Sequence, residues 1–150
     1  MKKNSLVFFV LRLVVGGLFV YSGYSKLMEP VSNFTGAILG YQLVGVRAAS
    51  WMAAALPWVE LVAGVFFIVG LWFGPALMAL WGMNTVFLAA ILSTFARHIP
   101  LANCGCFGEG AHAMPVQATL ALDALLFLIF LAMSRKREKA AYFGLDRFFG

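Results

Sequence analysis

Residues 52–96 read MAAALPWVELVAGVFFIVGLWFGPALMALWGMNTVFLAAILSTFA, two apolar runs with Glu60 as their single charge. A helix needs roughly 20 apolar residues to cross a bilayer, and each run supplies them. Trp72-Phe73-Gly74-Pro75 divides the two: glycine ends one helix and proline opens the next, which predicts a tight turn. An antiparallel hairpin of spans follows, at about residues 52–73 and 76–96. Two more runs of the same kind lie outside it, at about residues 6–27 and 116–133. The expected fold class is all-α: an integral membrane four-helix bundle, one domain over residues 1–150. No span carries a central proline on these boundaries.

Composition points the same way. The chain is 63% hydrophobic and 11% charged, against about 25% charged in a typical soluble domain. So few charges cannot coat a water-facing surface, so lipid must solvate much of it. The net charge of +5 does not call for nucleic acid. It gathers in Lys2-Lys3 and Arg135-Lys136-Arg137-Glu138-Lys139, beside apolar runs, where basic residues orient membrane proteins.

With four spans both ends share a side, which holds Lys2, Lys3, Arg135, Lys136, Arg137, Lys139 and Arg147. The other side holds Lys26, Arg47 and Arg97. The positive-inside rule then puts both termini in the cytoplasm and the loop between spans three and four outside. The first run exceeds the 7–15 residues of a signal-peptide core and no small-x-small site follows it, so it reads as a retained span. Residues 134–150 are basic, then aromatic at Tyr142, Phe143, Phe148 and Phe149. They read as a cytoplasmic tail anchored on anionic lipid.

Between spans one and two, Val31, Phe34, Ile38, Tyr41 and Gly45 follow helical spacing, with Ser32, Asn33, Thr35 and Gly36 elsewhere on the wheel. This predicts a short amphipathic helix on the outer membrane face, either a lid for the outer loop or a packed connector.

Each span carries a polar residue near mid-depth: Arg12, Glu60, Asn84 and Asp123. A charge at the bilayer centre costs about 2.5–3.5 kcal/mol even on insertion scales, so the four are expected to face one another. One cation cannot balance two carboxylates. A protonated carboxyl group, Lys26, Tyr21 or water must help. The cluster either fixes packing, or holds a polar headgroup such as a quinone carbonyl, or moves protons. Gly16, Gly17, Gly23, Gly64 and Gly70 allow close helix approach.

The only cysteines stand in Cys104-Gly105-Cys106-Phe107-Gly108, in the outer loop. Outside the cytoplasm disulfides persist. A Cys-x-Cys disulfide closes a tight, strained ring, and such bonds exchange readily with other thiols. His98 and His112 flank the pair, and imidazole raises the thiolate fraction of a nearby thiol. Three readings stay open: a thiol–disulfide redox centre, a soft-metal site of Cys104, Cys106, His98 and His112, or a static brace. A single intervening residue is short for structural zinc. With both thiols on one side, no thiol relay crosses the bilayer. Redox turnover therefore needs a membrane carrier, for which a quinone is the natural choice, or another protein. No dinucleotide fingerprint or haem-attachment motif is present.

Leu11-Arg12-Leu13 with Gly16-Gly17, Phe19 to Lys26-Leu27 and Pro30 resembles the first span of DoxX-like membrane proteins. Leu56-Pro57-Trp58-Val59-Glu60-Leu61 with Gly64 and Gly70-Leu71 resembles their second. Cys104-Gly105-Cys106-Phe107-Gly108 is similar to the cysteine motif of the MauE branch, the methylamine-utilisation proteins. The resemblance implies a bacterial inner-membrane protein linked to disulfide formation in a periplasmic dehydrogenase subunit, beside a thioredoxin-like partner. DoxX-like relatives imply quinone-linked redox chemistry. Membrane oxidants of the DsbB and VKOR type are an analogy, but they use two cysteine pairs and this chain has one.

The expected function is a membrane thiol–disulfide oxidoreductase with Cys104 and Cys106 as catalytic residues. Arg12, Lys26, Glu60, Asn84 and Asp123 would serve a quinone headgroup or its protons, and a periplasmic thioredoxin-like protein is the expected partner. The alternatives are soft-metal transport or binding, or a non-catalytic anchor subunit of a redox complex.

Overall fold

In lipid every backbone polar group must be satisfied within its own segment, so apolar runs of this length become helices. A computed structural model describes residues 2–99 and 115–136. Its elements are α1 (Lys2–Met28), α2 (Val31–Gly40), α3 (Val46–Val69), α4 (Phe73–Ala96) and α5 (Val116–Arg135). All but α2 are long and apolar enough to cross a membrane. No more than 33% of each span is buried in protein, so most of every helix faces outward, as Val14, Met78, Val86 and Leu128 do. The fold is an all-α membrane four-helix bundle with one short added helix.

The second span and the turn after it differ from the sequence reading. Helix α3 runs from Val46 to Val69, not from Met52 to Phe73. Its turn is Gly70-Leu71-Trp72, with Gly70 in the left-handed region at φ 72°. The N–H groups of Gly70 and Leu71 both donate to the Phe66 carbonyl, at 2.8 and 3.1 Å. Gly74 and Pro75 instead lie in the first turn of α4, where proline's missing N–H has no helical partner to lose.

The earlier start of α3 puts Pro57 at its middle, correcting the expectation that no span has a central proline. Proline there removes the N–H that the Ala53 carbonyl would accept.

Helices α1 and α3 pack antiparallel and share the closest contact. A Cβ on Gly23 would lie 2.8 Å from the Pro57 carbonyl oxygen, and one on Gly64 would lie 2.9 Å from Val20 Cγ2. Only glycine permits that approach. Gly17 looks onto open space and Gly70 caps a helix, so neither makes the contact expected of it.

Apolar packing divides into two main clusters. Val15, Phe67, Leu77, Leu80, Phe130 and Met133 join α1, α3, α4 and α5. Phe34, Ala37 and Ile38 of α2 pack on Ala49 and Ala53 of α3. The apolar wheel of the short helix therefore holds at Phe34, Ile38 and Tyr41, whereas Val31 is exposed. The Arg97 guanidinium, just beyond α4, donates to the Tyr41 and Gln42 carbonyls and ties the end of α2 to the end of α4.

Candidate functional site

Ser22 and Lys26 stand four residues apart on α1, so they share a face. The glycine contacts press that face against α3 at Glu60. Lys26 Nζ donates to Glu60 Oε1 at 2.7 Å and Oε2 at 2.9 Å, and Ser22 Oγ donates to Oε2 at 3.0 Å. Lys26 is 4% exposed and Glu60 2%. The ammonium also faces two rings, with Phe34 at 4.7 Å and Phe87 at 5.3 Å, which adds cation–π attraction to the buried charge.

Helices α4 and α5 supply a second pair. Asn84 Nδ2 donates to Asp123 Oδ1 at 3.3 Å, and both side chains are buried. Asn84 Oδ1 has no hydrogen-bond partner among the described residues.

Both pairs line one cavity of about 40 Å³, walled also by Leu18, Phe19, Phe87 and Leu126. A cavity needs about 10–15 Å³ by this measure for one water. The space takes a few waters and is far too small for an aromatic ring. Carboxylates beside a space of this size can accept and release protons.

Lys26, Glu60, Asn84 and Asp123 thus come together as the sequence suggested. Lys26, counted there as an outer-side cation, is the buried counter-ion of Glu60. Arg12 does not join them. It precedes Ser22 by ten residues, roughly 15 Å along α1, and its guanidinium lies 5.3 Å from the Phe9 ring. The C-terminal part of α1, not its midpoint, lies against Glu60, so equal depth along each apolar run was the wrong ruler. Tyr21 is 47% exposed and takes no part in the cluster. Sequence reasoning missed Ser22 and Phe87. The spacing of Ser22 from Lys26 could have suggested the first, and nothing marked the second.

A larger apolar groove of about 520 Å³ opens between α2, α3 and α4. Met52, Leu56, Met78, Gly82 and Met83 line it, and Phe87 borders both it and the polar cavity.

Cys104, Cys106 and His112 lie outside the described residues. His98 follows α4 with φ 53°. Among the described residues no group of three or more His, Cys, Asp or Glu is placed to hold a metal ion.

The family described as "Methylamine utilisation protein MauE" matches residues 4–135. A curated relative, "Methylamine utilization protein MauE" of Paracoccus denitrificans, is 31% identical over 121 residues, covering 81% of this chain. The chain spans 64% of that relative's length. No solved structure matches.

Proposed function

The chain belongs to the MauE family, and on that premise we propose that it is a membrane thiol–disulfide oxidoreductase. Cys104 and Cys106 cycle between dithiol and disulfide. An extracytoplasmic thioredoxin-like protein delivers electrons to them, and a membrane quinone receives the electrons. The basic-residue count supports a cytoplasmic-membrane protein with both termini inside and the cysteines outside.

The chemistry balances in two exchanges. A partner thiolate attacks the Cys104–Cys106 disulfide, forming a mixed disulfide that the partner's second thiol resolves. The partner leaves oxidised and this chain holds two thiols. Those thiols then give two electrons and two protons to the quinone as their S–S bond reforms and quinol leaves.

The observation that carries this reading is the buried cavity of Lys26, Glu60, Asn84 and Asp123 in a bundle whose cysteines fall between α4 and α5. Those two helices supply Asn84 and Asp123. Asp123 follows Val116 by seven residues, roughly 10 Å along α5. A two-proton exchange needs groups that can take up and release protons. Soft-ion transport gains little from Pro57, because α3 stays helical through it.

The test is to replace Cys106 with Ala, then Cys104, and look for a trapped mixed disulfide with a thioredoxin-like protein. One variant should capture it, and capture by neither defeats the reading. An anchor-only role predicts that the Cys104→Ser/Cys106→Ser chain keeps both complex assembly and activity.

A further inference from the structure

We propose that the apolar groove between α2, α3 and α4 seats the isoprenoid tail of the quinone, and that its ring takes the place of the Phe87 side chain at the mouth of the polar cavity. This rests on the quinone-linked reading above and assigns its binding site.

The two spaces differ in what they can hold. The polar cavity of about 40 Å³ admits water but no ring. The groove of about 520 Å³ lies within the roughly 300–1,000 Å³ of small-molecule sites. Phe87 borders both. Displacing one side chain therefore joins an apolar trough to a hydrogen-bonding end.

That combination selects a ligand with an uncharged polar head and a long apolar tail. An acyl chain alone would leave the polar end unused. A phospholipid head is charged and bulky, and the Lys26 ammonium is already taken by Glu60 at 2.7 Å. The reduced form of a quinone suits that end. Its hydroxyls donate, and Asn84 Oδ1 is a buried acceptor without a partner among the described residues. Met52, Met78 and Met83 give the trough adaptable walls for a branched tail. Gly82 lines the trough, and an added Cβ there meets nothing within 4 Å, so a larger side chain can be started there without an immediate clash.

The experiment compares two benzoquinones with the same ring, one without a tail and one with a decyl tail. Binding to the full-length protein in nanodiscs is followed by tryptophan fluorescence quenching. The wild type should bind the tailed compound at least tenfold more tightly. Gly82→Phe should remove that preference and leave the tail-less affinity within twofold. Met83→Trp, a second way to fill the trough, should do the same. A photoreactive azide on the ring should label α1 and α5 near Ser22 and Asp123. Equal affinities in the wild type, a preference that survives both variants, or ring labelling confined to the trough overturns the assignment while quinone binding stands. If neither compound binds, the quinone-linked reading falls and takes this inference with it.

Discussion

Lys26 Nζ lies 2.7 Å from Glu60 Oε1, with the two side chains only 2% and 3% exposed. The pair joins α1 to α3 where Gly23 lets the helix backbones meet. Two charges taken from water are stable there because each is the other's partner, with Ser22 sharing the carboxylate.

Glu60→Gln strips the ammonium of its counter-charge while keeping the shape of the site. The expected loss is about 3–5 kcal/mol, read as a lower melting temperature of the purified protein. Lys26→Met/Glu60→Met removes both charges and should recover most of that loss. A double variant as unstable as the single one contradicts the pairing.

Gly23→Ala places a methyl group against the Pro57 carbonyl, at 2.8 Å before any adjustment. Backbone must yield, at a cost of about 1–3 kcal/mol. Gly17→Ala points a methyl into open space and should stay within about 0.5 kcal/mol of wild type. Thermal-shift chromatography of the two variants side by side separates them. Equal behaviour means that the helices do not cross there.

Asp123→Asn keeps a group that can hydrogen-bond Asn84 but no longer takes a proton. If the carboxylate handles protons during reoxidation, quinone-linked turnover should fall by about 10²–10⁴. Formation of the mixed disulfide with the thioredoxin-like partner should be unchanged. Equal slowing of both steps would mark Asp123 as structural only.

Membrane-impermeant maleimide, added to intact cells after mild reduction, should label Cys104 and Cys106. A cysteine introduced at Arg147 in a Cys104→Ser/Cys106→Ser background should stay unlabelled until the membrane is opened. The reverse pattern overturns the orientation.

The four spans were legible because lipid imposes a simple rule on length and hydropathy, and the ends of α4 and α5 fall within three residues of where it puts them. The start of α3 was not, because Arg47 and Ser50 lower the hydropathy of a segment that is helical all the same. Gly70 and Gly74 each offered a helix end. Glycine's left-handed φ at 70 decided it, while Pro75 was free to sit in the first turn of α4. The meeting of Lys26 with Glu60 depends on how far α1 slides along α3. Gly23 and Gly64 set that register, and their contacts appear only once two helices are packed. Arg12 was misplaced for the same reason.

The decisive measurement follows the cysteines themselves. Fully reduced protein in anaerobic nanodiscs is mixed with a tailed quinone, quenched, alkylated and weighed by mass spectrometry while quinol is counted. A Cys104–Cys106 disulfide should form with one quinol released for each. Two alkylated thiols beside unreduced quinone would contradict it.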